Sequence, residues 1–144
     1  MSVPEFRITQ AALEAIVAHA RAESPAECCG MLTGRGASID EAVRARNIAA
    51  RPTRFLIDPK DHIDARRAAR GRGLEVLGFY HSHPQSPAWP SPTDVAEAAY
   101  PDAVYLIVSL VDGRADARLF RIERGSAIEL PLIIVASPPP TGGC

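Results

Sequence analysis

Leu74-Glu75-Val76-Leu77-Gly78-Phe79-Tyr80-His81-Ser82-His83-Pro84 is an apolar stretch that runs into two histidines set two positions apart. Leu74 to Tyr80 is read as an apolar stretch that leads, if extended, straight into the histidines. Alternate side chains of an extended chain share a face, so His81 and His83 project the same way and can converge on one ion. Gln85 to Pro90 is expected to be an irregular loop, because its prolines deny it a ladder or a helix. Ser91-Pro92-Thr93-Asp94 then carries the marks of a helix start. Asp94 follows His83 by 11 positions, so a chain folding back over the loop returns its carboxylate to the two rings. Two histidines and a carboxylate suit divalent zinc and leave a fourth tetrahedral position for water. Ser91-x-x-Asp94 also reads as a capping box, a purely structural alternative.

Outward from this segment, strands and helices alternate. Phe6-Arg7-Ile8 is a strand candidate, and Thr9 is placed to cap a helix whose Leu13, Ile16, Val17 and Ala20 recur at helical spacing. Pro25 ends that helix. Cys28 to Leu32 reads as a short buried strand leading to a turn at Gly34-Arg35-Gly36, with Ile39 to Ile48 as its antiparallel neighbour. Phe55-Leu56-Ile57 is expected to be a further strand. Asp58 then caps a helix with Pro59 at its first position, running to about Gly71. Ala103 to Val108 is the most apolar strand, followed by a turn at Asp112-Gly113-Arg114 and a strand over Ala117 to Ile122. The pattern predicts one α/β domain (α+β, mixed sheet) over residues 1–136, its central sheet flanked by helices. Residues 137–144 have nothing to bury and are expected to form a flexible Pro/Gly-rich tail.

The 144 residues carry 16 basic and 17 acidic side chains for a net charge of −1, with 47% hydrophobic and 23% charged residues. That content suits a soluble globule, and the balanced charge provides no field to draw a phosphate backbone, so nucleic acid is not expected as a partner. The first residues lack an apolar core of signal-peptide length. The longest apolar run, Leu130 to Ala136, contains a proline and is too short to cross a bilayer, so a cytoplasmic location without membrane partners is expected. Adjacent Cys28 and Cys29 with a distant Cys144 make no disulfide framework, which agrees with a reducing compartment. Cys29 is read as a small buried packing residue. His19 and His62, on helices, are expected to be solvated, and Trp89 is read either as lining a substrate groove or as shielding the metal.

His81-x-His83-Pro84 followed by Ser91-x-x-Asp94 resembles the signature of the JAMM (MPN-plus) metalloproteases, which cleave isopeptide or peptide bonds at the C-termini of ubiquitin-like proteins. That family's upstream E-x-C-G context is matched by Glu27-Cys28-Cys29-Gly30, and the likeness runs from about Phe6 to Val135. The resemblance implies a JAMM/MPN, cytidine-deaminase-like fold, with Zn2+ held by His81, His83 and Asp94. It also implies Glu27 as general acid/base and Ser91 as a polar partner of the reacting carbonyl. Each role is chemically sound. Zinc lowers the pKa of bound water from ~15.7 to about 7, a carboxylate in reach can take a proton from water and pass it to a leaving amine, and a serine hydroxyl that accepts a cap bond keeps its proton for an oxyanion.

Eukaryotic members of that family carry insertions that grip ubiquitin, for which this chain has no room. It is similar instead to small bacterial members that act on sulfur-carrier proteins, releasing cysteine or a short peptide from beyond a terminal Gly-Gly. A substrate tail of this kind can bind by adding a strand to a sheet edge. The end Gly142-Gly143-Cys144 has the form of such a substrate, so self-association, pseudosubstrate docking and trimming to Gly143 stay open beside an incidental terminus. Two other readings are carried. A noncatalytic MPN-type scaffold has no need of a complete ligand set with Glu27, and a RadC-like DNA-repair-associated protein usually adds a helical DNA-binding region. Nucleobase deamination is disfavoured, because no H-x-E is followed by P-C-x-x-C.

Overall fold

Thr9 both ends the first strand and starts the first helix: its hydroxyl accepts from the Ala12 amide at 3.1 Å, closing β1 (Phe6–Thr9) and opening α1 (Gln10–Glu23). The structure, a computed structural model, describes residues 4–49 and 54–138. Next come β2 (Cys29–Arg35) and its antiparallel neighbour β3 (Ser38–Ala45), then α2 (Pro59–Gly71), whose cap Asp58 accepts from the Lys60 amide at 2.9 Å. β4 (Glu75–His83), α3 (Pro92–Glu97), β5 (Val104–Ser109), β6 (Asp116–Glu123), β7 (Ser126–Leu130) and β8 (Leu132–Val135) complete the order. A single eight-stranded sheet runs β7-β6-β5-β4-β2-β3-β1-β8. Three of its pairings are parallel, β4 with β5 and β1 with both β3 and β8, so the sheet is mixed and flanked by helices, as expected.

β7 and β8 were not anticipated, and they close the architecture. Only Pro131 separates them, yet they stand at opposite ends of the strand order. The two ends therefore approach each other: one segment, interrupted at Pro131, pairs with β6 by its first half and with β1 by its second. Proline has no ladder donor to lose at such a corner, and its carbonyl still accepts from the Phe6 amide at 3.0 Å. The expected strand Phe55–Ile57 forms no ladder. Among the described residues it makes one isolated antiparallel bridge, Ile57 to Asn47, where the chain has already left β3.

Strand alternation sorts the core into two faces. Ile8, Leu32, Ile39, Tyr80, Leu106 and Leu119 pack with Ile16 of α1 on one face, while Met31, Ala65, Phe79, Tyr105, Ile107 and Phe120 pack on the side of α2. Burial of each large aliphatic or aromatic side chain contributes about 1.5–3 kcal/mol. β4 lies between β2 and β5 at the middle of the sheet, so both of its backbone edges are paired. Among the described residues no helix is long and apolar enough to cross a membrane. Ser137 accepts a hydrogen bond from the Ala11 amide at 2.8 Å, whereas Gly142-Gly143-Cys144 lies outside the described residues.

Gly78 in β4 faces its parallel neighbour so closely that a Cβ there would meet the Val104 carbonyl oxygen, whereas one at Gly71 would meet nothing. Gly78→Ala is expected to destabilise the fold by about 1–3 kcal/mol through forced separation of β4 and β5, with Gly71→Ala close to neutral. Urea midpoints of the two variants measure the contrast.

Candidate functional site

The β2–β4 register assembles the site. Cys29 pairs with His81 across an antiparallel ladder, and beyond the end of that ladder Cys28 and Ser82 remain joined, the Ser82 amide donating to the Cys28 carbonyl at 3.2 Å. Continuing the register two residues from the Cys29–His81 pair sets Glu27 across from His83 and on the same face. Glu27, His81 and His83 are all buried, and they offer donor atoms within 4.8 Å of one another, an arrangement able to hold a metal ion.

Asp94 reaches the same point from another element. At the start of α3 the Ser91 hydroxyl accepts from the Asp94 amide at 3.0 Å and Oδ2 of Asp94 accepts from the Ser91 amide at 2.9 Å, a complete capping box. That Oδ2 lies 3.1 Å from Nε2 of His81 and 3.0 Å from Nε2 of His83, and the two Nε2 atoms are 3.2 Å apart. The cap and the cluster thus use one carboxylate together. The Ser91 oxygen acts as acceptor in the cap, which leaves its proton to donate elsewhere. Nδ1 of His83 donates to the Pro87 carbonyl at 2.9 Å, and this bond orients the ring and reserves Nε2 as the inward-facing nitrogen. The ring of Phe55 stacks on His81 at 4.2 Å.

The electrostatics differ from group to group. Burial pushes the Asp94 carboxyl up, but the hydrogen bonds from His81 and His83, together with the Ser91 amide, outweigh it and hold the group well below the usual carboxylate range. Burial lowers His81, against the pull of Asp94. At His83 burial also acts downward, yet Asp94 and the Pro87 carbonyl prevail and the ring is raised above its ordinary value. Glu27 is raised to about 7, first by burial, with the His83 charge opposing and the Asp94 charge adding. Its Oε1 is buried with no hydrogen-bond partner.

The family model for prokaryotic homologs of the JAB domain matches residues 9–123 of this chain. The chain belongs to that family. The desampylase of Haloferax volcanii is 36% identical over 124 residues, covering 81% of this chain and 88% of that protein. The CysO-cysteine peptidase of Mycobacterium tuberculosis is 36% identical over 126 residues, covering 85% and 86%. A solution structure of a Desulfitobacterium hafniense protein superposes with a TM-score of 0.84 at 32% identity, over 92% of this chain and 94% of that one. The protein is a small prokaryotic JAMM/MPN member with the mixed-sheet fold of that family.

Several residues of this JAB-domain protein went unnoticed in the sequence. Ser82, between the two histidines and fully buried, accepts from the Cys28 amide at 2.8 Å and so ties β4 to the residue after Glu27. Ser109 donates to the Ser86 carbonyl at 2.6 Å, anchoring the proline loop to β5. Asn47 donates to the Glu27 carbonyl at 2.9 Å. A single polar residue in a strand or loop carries no signal of such bonds, which depend on partners 20 or more positions away, apart from the regularity that buried polar groups must be paired. Other expectations need correction. His19 is buried rather than solvated, its Nδ1 2.7 Å from the Tyr80 hydroxyl, because α1 lies flat on the sheet there. His62 is half-buried, its ring edge-on to Phe79 and Tyr100. Trp89 is about half exposed and packs edge-on against Phe120 at 5.0 Å.

Cys28 and Cys29 are free and buried, and burial first of all pushes their thiols up to about 11 and about 12. At pH 8 they are protonated and shielded, so neither is expected to react with iodoacetamide in the native protein, while both react after denaturation. Peptide mapping by mass spectrometry reads the result, and native labelling of either thiol contradicts it.

Proposed function

We propose that this chain is a zinc-dependent peptidase or isopeptidase that hydrolyses the bond following a C-terminal Gly-Gly of a ubiquitin-like or sulfur-carrier protein, releasing cysteine or a short peptide. The observation that carries the reading is the convergence of His81 Nε2, His83 Nε2 and Asp94 Oδ2 to mutual distances of 3.0–3.2 Å beside a buried carboxylate. Ligand atoms around tetrahedral zinc with bonds of 2.0–2.1 Å stand about 3.3 Å apart, so the donor set and its spacing fit that ion. His81, His83 and Asp94 are the residues that would hold it. When bound, zinc supplies Lewis acidity to water and to a carbonyl oxygen.

The chain's own groups account for the rest. Glu27, with an unpartnered oxygen beside the cluster and its pKa raised to about 7, is suited to accept a proton from the attacking water at neutral pH and return it. Water adds to the carbonyl carbon, the carbon–nitrogen bond breaks, and the proton carried by Glu27 goes to the leaving nitrogen, giving a carboxylate and an amine. Ser91 keeps a hydroxyl proton for the carbonyl oxygen as it gains charge, a donor of the kind worth about 2.7–4 kcal/mol. The relatives named desampylase and CysO-cysteine peptidase support a ubiquitin-like or sulfur-carrier substrate.

His83→Ala and Asp94→Ala are each expected to lose zinc and activity together; a full zinc complement by elemental analysis in either variant removes that residue from the ligand set. Glu27→Gln is expected to retain zinc while turnover falls by at least ~10²-fold. The substrate assignment is checked by incubating the zinc-loaded protein with carrier proteins extended beyond Gly-Gly. Intact mass should fall by the residues after the second glycine, and unchanged masses across such carriers refute the assignment.

A further inference from the structure

Glu27 lies in the connection between α1 and β2, outside the ladder, and its buried Oε1 has no hydrogen-bond partner. What aims its carboxylate is therefore the placement of its main chain. The Glu27 carbonyl accepts from Nδ2 of Asn47 at 2.9 Å. The second Nδ2 proton of Asn47 goes to the Arg54 carbonyl at 3.1 Å, and its Oδ1 accepts from the amides of Ala49 at 3.0 Å and Leu56 at 2.9 Å. Both donors and both acceptor sites of the amide are used. The orientation is also unique, since a flipped amide would set its oxygen against two carbonyls and its nitrogen against two N–H groups.

We infer that Asn47 is a positioning residue for proton transfer, holding the Glu27 main chain so that the carboxylate faces the His81–His83–Asp94 cluster. This rests on the reading of Glu27 as the general acid/base. A proton-transferring carboxylate must come within about 2.6–3.2 Å of its partner, and a misplacement of about 1 Å can cost ~10²-fold in rate. His81 and His83 are carried by β4 and Asp94 by its capping box, so Asn47 reaches the cluster only at one remove, through its bonds to Arg54 and Leu56 on either side of Phe55, whose ring stacks on His81. Losing Asn47 should therefore act on Glu27 directly and leave the zinc-binding cluster, built on β4 and the α3 cap, in place. Aspartate at this position separates the functions of the side chain. It keeps the acceptor for Ala49 and Leu56, but it has no proton for the Glu27 carbonyl or for that of Arg54.

The test compares zinc-loaded full-length Asn47→Asp and Asn47→Ala, alone and combined with Glu27→Gln, acting on a carrier protein extended beyond Gly-Gly. In the otherwise unchanged protein each substitution is expected to lower kcat about 10- to 100-fold, with KM and zinc content within about twofold. In the Glu27→Gln background the further loss is expected to stay within about twofold, because the group being positioned is already gone. Losses that multiply between the two sites, or zinc content that falls in both Asn47 variants, overturn the inference and leave Asn47 a structural residue. Near wild-type turnover of Glu27→Gln alone overturns the acid/base reading instead, and the inference with it. If Asn47→Asp does not fold, as read by its thermal transition, Asn47→Ala and its double variant carry the same comparison.

Discussion

Two imidazole nitrogens and a carboxylate oxygen, all with lone pairs, are held within 3.0–3.2 Å of one another in a buried site. Electron-rich atoms do not assemble this way unaided, since each loses water and gains like neighbours. The surroundings offset that cost through directed bonds: the Pro87 carbonyl on His83, the Ser91 amide on Asp94, and the Phe55 ring over His81. Cations relieve the convergence, whether protons shared between the rings and Asp94 or a metal ion. The shape of the protein around this point follows from keeping the three atoms in place.

Rigidity is supplied by the sheet. β4 has partners on both sides, and its two histidines stand at the end where β2 and β5 are still paired or bonded to it. The proline loop that follows is pinned by Ser109 to Ser86 and by His83 to Pro87, so the chain from His83 to Asp94 returns along a fixed path. Its length matters less than these two anchors. Glu27 is held differently: it sits on a connection, reached through the β2 register, the Ser82–Cys28 bond and the amide of Asn47. The molecule thus separates a strand-borne cluster from a loop-borne carboxylate. The buried Oε1 of that carboxylate has no hydrogen bond of its own.

Much of this was legible beforehand because it is local. Two histidines at strand spacing share a face whatever else the fold does, and Ser91-x-x-Asp94 closes a helix start from within four residues. Apolar runs marked β2, β4, β5 and β6, and Thr9 and Asp58 marked the starts of α1 and α2. Phe55–Ile57 had the composition of a strand and formed none, because a strand needs a continuous neighbour and the chain beside it had already left the ladder.

The sequence by itself determined the donor types, their spacing and the turn chemistry that brings Asp94 back, since these depend on period and capping within a few residues. Only the tertiary structure decided that one segment broken at Pro131 joins both ends of the sheet, that His19 of α1 is buried against the sheet, and that Glu27 stands across from His83. Those outcomes depend on pairings between residues far apart in the chain. Such pairings are set by which faces can be buried together and which polar groups find partners, and no short window of sequence contains both sides of that choice.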